Sequence, residues 1–175
     1  MAQDYVGLIY WKGEGGVPQD YQAAAQWYQQ AADQGNANAQ VNLGIVYENG
    51  DGVEINISEA LRWYLKAAHQ GNWTAQLKVG YLYSEPGEMQ NHKKSVRWFR
   101  EAAEDGFDRA QFQLGQSLMH GDGCTKNVKE ALSWIEKSAK QGNRDAQLVF
   151  GCYHNIGEGV RQDYVLGARW VRQAA

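Results

Sequence analysis

The residues of this 175-residue chain best able to hold a metal, or to act as nucleophile and base, are its two cysteines and four histidines. His120 and Cys124 stand four apart, but Gly121 and Gly123 intervene. Cys124 also occupies a place held elsewhere by Val53 and Val160, so it reads as a small buried thiol. Cys152 and His154 are two residues apart on one helix, which turns them to different faces. His69 and His92 fall where other parts of the chain carry solvated polar residues. An acylating serine of the Ser-x-x-Lys type is absent, because Ser138 and Lys140 have the wrong spacing. Glu101, Glu104 and Asp105 crowd one helix end and read as a solvated face. No Gly-x-Gly-x-x-Gly follows a strand and no phosphate loop is present. The expectation is a protein that is not an enzyme, with no cofactor and no metal site.

Composition narrows the partners. The formal charge is −3 with acids and bases interspersed, so there is no basic stripe for nucleic acid. No apolar run approaches the roughly 18 residues that span a bilayer, and no signal peptide follows Met1. Two cysteines are too few for a disulfide framework. These features leave the compartment open: cytoplasmic by default, periplasmic or secreted if the chain belongs to a longer exported protein.

The elements that position all these residues repeat. Trp27, Trp63, Trp98, Trp134 and Trp170 are spaced by 36, 35, 36 and 36 residues. Gly7, Gly44, Gly80, Gly115 and Gly151 form a second series, and Gly35, Gly71, Gly106 and Gly142 a third. Each period reads as two helices, A and B, with the second spanning about Ala37 to Glu48 and about Asn56 to Gln70. Asp20, Asn56, Asn91, Asn127 and Asp163 precede the B helices as N-caps. Asn36, Asn72 and Asn143 do the same for A helices, with Asp108 as the substitute where Phe107 intervenes. Gly35, Gly71, Gly106 and Gly142 suit the left-handed position that ends a helix. A glycine inside a helix costs about 1 kcal/mol relative to alanine. Five such glycines at one position therefore imply close approach of helix A to helix B. Ala60, Ala67 and Ala68 are placed on the facing side, and the tryptophans in the core. Gln40, Gln76, Gln111 and Gln147 share the period and are expected to satisfy backbone groups of the preceding turn.

Ala39-Gln40-x-x-Leu43-Gly44-x-x-Tyr47, Gly50-x-Gly52-Val53 and Ala60-x-x-Trp63-x-x-x-Ala67-Ala68-x-Gln70-Gly71 together resemble the Sel1-like repeat signature of the tetratricopeptide-like superfamily. The resemblance implies an all-α, right-handed superhelical solenoid of five repeats and about ten helices, with a concave surface lined by A helices. It also implies adaptor roles. The repeats are placed at about 1–35, 36–71, 72–106, 107–142 and 143–175, in one array. Cysteine-rich Helicobacter members, associated with penicillin binding or β-lactamase activity, carry a cysteine pair in each repeat, and no repeat here does. Departures are local: Ser84–Met89 replaces the glycine turn in the third unit, by drift or as a specialised contact, and Leu118 replaces the tyrosine in the fourth. Because solenoids need polar caps, the array is expected to be part of a longer one or to pack its ends against another copy.

With Leu43, Gly44 and Tyr47 assigned to the helix B side, Asn38, Val41, Ile45 and Glu48 are assigned to the groove. The same register gives Asp4, Leu8 and Trp11; Thr74, Leu77, Tyr81 and Ser84; Arg109, Phe112, Gln116 and Met119; and Asp145, Leu148, Cys152 and Asn155. Val41, Leu77, Phe112 and Leu148 are read as packing between adjacent A helices. The candidate binding residues are Trp11, Asn38, Ile45, Glu48, Tyr81, Arg109, Gln116, Met119 and Asn155, expected to hold a peptide or a partner's helix. The alternatives are a spacer or self-associating array and, less favoured, a β-lactamase-like hydrolase.

Overall fold

The structure is a computed structural model that describes residues 2–175; Met1, the first residue of the first repeat, lies outside the described residues. Among the described residues there are ten helices and no strand. They are α1 (Ala2–Lys12), α2 (Tyr21–Asp33), α3 (Ala37–Asn49), α4 (Ile57–Ala68), α5 (Trp73–Ser84), α6 (His92–Glu104), α7 (Asp108–His120), α8 (Val128–Lys140), α9 (Arg144–Ile156) and α10 (Tyr164–Ala174). Odd-numbered helices are the A helices and even-numbered ones the B helices. The chain forms two compact units, Met1–Val79 and Gly80–Ala175, divided within α5.

The helix starts follow the predicted caps. Side chains of Asp20, Asn56, Asn91, Asn127 and Asp163 each accept a hydrogen bond from the backbone N–H three residues on, at 2.9–3.1 Å. Asn36, Asn72 and Asn143 do so at the A helices, each at 3.0 Å. The exception is α7. Phe107 has no side-chain oxygen to offer, and Asp108 does not substitute for it, because Asp108 is already the first helical residue. Its carboxylate instead accepts from Asn143 Nδ2 at 3.0 Å. Asn56→Ala should cost about 1 kcal/mol in a urea titration.

In the first unit, α1–α2 and α3–α4 are hairpins, and helices pack in chain order. The helical glycines are where each hairpin closes. Tyr28 of α2 lies flat against Gly7, where an added methyl would sit 2.7 Å from the ring. Tyr64 of α4 covers Gly44 in the same way. The core between them joins Tyr28 and alanines of α2 to Leu43 and Val46 of α3 and Trp63 of α4. Gln40 holds the hairpins together. Its Nε2 donates to Ala32 O at 3.1 Å, and its Oε1 accepts from Gln70 Nε2 at 2.8 Å. Gly52, at φ +74°, lies on the backbone of Tyr21 and Gln22 at the start of α2.

The second unit repeats this pattern. Phe99 covers Gly80, Ile135 covers Gly115, and Val171 packs beside Gly151. Gln111 donates to Ala103 O at 3.3 Å and accepts from Gln141 Nε2 at 2.8 Å, and Gln147 donates to Ala139 O at 3.1 Å. Gln76 Oε1 of the first unit is buried without a partner; in sequence, its repeat carries Asp105 where others have Gln70 and Gln141. The tryptophans are less uniform than predicted. Trp63 and Trp98 are buried, whereas Trp27, Trp134 and Trp170 are half-buried.

Candidate functional site

The A helices of each unit present a shallow cavity. In the first unit it measures about 190 Å³ and is lined by Leu8 and Trp11 of α1, Tyr28 of α2, and Asn42 and Ile45 of α3. Trp11 Nε1 donates to Asp51 Oδ2 at 3.1 Å, and its ring meets Tyr21 edge-on at 6.2 Å between centroids. Trp11 is thus half-buried and fixed in orientation. Ile45 is half-buried beside it, and Asn38 is exposed two turns before Ile45 on α3, accepting from Asn72 Nδ2 at 3.1 Å.

In the second unit a cavity of about 210 Å³ is lined by Tyr81 of α5, Arg109, Phe112 and Gln113 of α7, and Asn143 and Asp145 at the start of α9. Tyr81 rests edge-on against Phe99, 5.4 Å between centroids. Burial pushes its phenol up, while a hydrogen bond from Gln113 and the charge of Arg109 oppose that rise. Arg109 and Asp145 are both exposed, and no ion pair joins them. Gln116 is half-buried on the same face of α7.

Three predicted site residues need correction. Met119 is 4 % exposed and belongs to the core. Glu48 accepts from Tyr64 Oη of α4 at 2.5 Å and pairs with Lys78 Nζ of α5 at 2.8 Å, so its carboxylate is engaged between these two helices. Asn155 lies over Gly167 of α10, where an added methyl would overlap its side-chain oxygen. The reason is angular. A helix turns about 100° per residue, so a residue four past the packing glycine is only about 40° around from it. Glu48, Met119 and Asn155 all hold that position; Trp11, four past Gly7, holds it too and lines the first-unit cavity beside Tyr28, on the glycine side. The side opposite Gly44 is Asn38, Asn42 and Ile45, and opposite Gly115 it is Arg109, Gln113 and Gln116. Asn42 and Gln113 were missed, although the same count finds them. Val41 and Leu77 are buried, Phe112 is half-buried, and Leu148 is 47 % exposed.

The remaining reactive groups are dispersed. Ser138 is buried and donates to Asp108 O at 2.7 Å. Cys124 is half-buried with its thiol on Ser117 O at 3.5 Å, and burial pushes that thiol up. Cys152 is exposed. Among the described residues no group of three or more His, Cys, Asp or Glu is placed to hold a metal ion.

Two buried phenols make stability depend on alkaline pH. Burial first, and the charge of Asp4 second, push Tyr28 up to about 12 from 10.0. Tyr64 is pushed up by burial, then by its bond to Glu48. The unfolded chain releases these protons near pH 10 while the folded chain holds them. Stability is therefore complete below pH 10 and falls as pH rises through 12. At pH 11.5 the Tyr28 phenol should remove about 2 kcal/mol, and Tyr64 acts in the same direction. Urea unfolding of Tyr28→Phe at pH 9 and 11.5 should show a fall smaller by that amount.

With the geometry described, the relatives can be compared. The Sel1 repeat family matches at residues 1–36, 37–72, 73–107, 108–143 and 145–175. A Sel1 repeat protein from Oxalobacter formigenes is 37 % identical, with a TM-score of 0.93 over 99 % of this chain and 71 % of that one. The antigen c5321 of uropathogenic Escherichia coli strains, described as displaying an SLR fold, is 39 % identical with a TM-score of 0.89. That alignment covers 99 % of this chain but 37 % of c5321, so the chain spans little more than a third of that protein's length. Helicobacter pylori cysteine rich protein B shares the fold at 20 % identity and a TM-score of 0.58, over 73 % of this chain and 92 % of that one. No curated protein matches the sequence. Five consecutive matched repeats and two relatives above 30 % identity establish that the chain belongs to the Sel1 repeat family.

Proposed function

We infer that the chain is an adaptor that holds an extended peptide or a helix of a partner protein against the A-helix faces of its units. Sel1 repeat proteins generally act as protein–protein interaction scaffolds. Here the reading rests on one observation. In both units the A helices border an open cavity that combines aromatic walls with carboxamides or charges. Such a surface suits recognition, because a few anchored side chains carry most of an interface's affinity while polar groups set orientation. Trp11 and Ile45 supply the apolar wall in the first unit, and Tyr81 and Phe112 in the second. Arg109 and Asp145 offer opposite charges to main-chain or side-chain groups of the ligand.

The test is calorimetric titration of an affinity-purified partner against Tyr81→Ala, Arg109→Ala and Asn42→Ala. At least one should weaken binding roughly tenfold, with the helical circular dichroism unchanged. Wild-type affinity in all three would put the contact elsewhere. A second reading, self-association, draws on Leu148, Tyr164 and Val165, exposed by 47, 67 and 83 % on α9 and α10. A mass that grows with concentration in sedimentation would favour it. No described helix is long and apolar enough to cross a membrane.

A further inference from the structure

A second cavity of the first unit lies away from the A-helix face. It measures about 620 Å³ and lies along α2, with Gln22, Gln26 and Gln29 on its wall and Leu43, Tyr47 and Val53 forming its floor. None of the residues lining it is charged. That is a departure from the other repeats. The corresponding groove in the second unit, about 420 Å³, has Lys129 at the place of Gln22 and Glu136 at the place of Gln29. Arg62 and Arg97 occupy the place of Gln26 in the second and third repeats. Each other repeat carries at least one charge at these three places, with Ser58, Leu65, Ser133 and Val165 among the neutral counterparts, whereas the first B helix carries only carboxamides. Gln22 and Gln26 are exposed and have no hydrogen-bond partner among the described residues, while Gln29 gives its Nε2 to Asp33 at 2.9 Å and keeps its carbonyl free.

We propose that this groove is a second docking surface, separate from the A-helix face, which reads the main chain of an extended, uncharged peptide segment. A carboxamide donates and accepts at once, as a peptide group does, so the two pair by a matched N–H and C=O. Carboxylates and ammonium groups offer only one of these functions. Gln22 and Gln26 are one i, i+4 step apart, about 6 Å along the helix. An extended chain repeats its outward-facing peptide groups every two residues, about 6.7 Å. The steps nearly coincide between Gln22 and Gln26, whereas Gln29 follows after a shorter step of about 4.5 Å. Side chains on an extended segment alternate in direction, so every second one meets the apolar floor of Leu43, Tyr47 and Val53. The segment that fits alternates aliphatic with uncharged polar residues. A charged segment would leave its ions among neutral walls with no counter-charge, which disfavours it.

Calorimetry with defined probes tests this. The ligand is a nine-residue peptide alternating leucine and threonine, acetylated and amidated at its ends. It should bind, with affinity changed less than twofold between 50 and 500 mM NaCl. Lysine in place of threonine should weaken binding at least tenfold, and so should methylation of the threonine backbone nitrogens. The double substitution Gln22→Glu and Gln26→Glu, at exposed helical positions, should also lose at least tenfold. Arg109→Ala should leave this binding unchanged whatever it does to partner binding on the A-helix face, so the two readings fail separately. Absence of binding by the neutral peptide, indifference to backbone methylation or to the glutamine substitutions, or binding of maltohexaose instead would each overturn the proposal.

Discussion

Gly52→Ala is expected to destabilise the protein by about 2–5 kcal/mol, the sum of a left-handed backbone penalty and overpacking. Gly52 holds φ +74°, and an added methyl would sit 2.5 Å from the backbone nitrogen of Gln22. A side chain could rotate away, but backbone at the start of a capped helix cannot. Gly35→Ala supplies the control. Its φ is +86°, yet nothing lies within 4 Å of the added methyl, so only the backbone penalty of about 1 kcal/mol should appear. Urea denaturation of the two variants separates conformational strain from steric overlap. Equal losses would mean that the turn does not seat on α2 as described.

Trp63→Ala should cost about 3–5 kcal/mol, the range for a buried tryptophan truncated to alanine. Trp63 is 1 % exposed and sits in the core that joins α2 and α3 to α4, with Lys66 Nζ 3.9 Å above its ring. Its indole N–H has no partner, so Trp63→Phe removes area without breaking a hydrogen bond and should cost much less. Trp134→Ala offers a comparison at the same repeat position, because that ring is half-buried with Lys137 Nζ at 3.8 Å. Thermal unfolding should rank the losses Trp63→Ala, Trp134→Ala, Trp63→Phe. Equal losses for the two alanine variants would show that repeat position, not local burial, decides the cost.

Much of the fold was legible in the sequence because its backbone demands admit few residue types. Helix starts select Asn or Asp, left-handed helix ends select glycine, and a ring lying on a helix backbone also selects glycine. These restrictions recur every 36 residues or so and reinforce one another. Legibility failed where the answer depended on angle or on neighbours. Grouping Glu48 with Ile45 ignored that Glu48 lies beside Gly44 on the helix surface, so the polar triad with Tyr64 and Lys78 was unforeseen. The same slip put Met119 in the groove. Phe107 showed that a cap position can be filled without a capping side chain, leaving Asp108 for a bond to Asn143. The uncharged stripe of α2 was visible as Gln22, Gln26 and Gln29, but only the cavity beside it gave the stripe a meaning.

Within each unit the helices pack in chain order, hairpin against hairpin. Contacts that span few residues close quickly, since little loop entropy is lost before they form. Such a chain does not wait for its last residue before its first can settle. During synthesis on the ribosome, α1 and α2 can dock as soon as both have emerged, and α3 with α4 then finds a finished surface within the same unit.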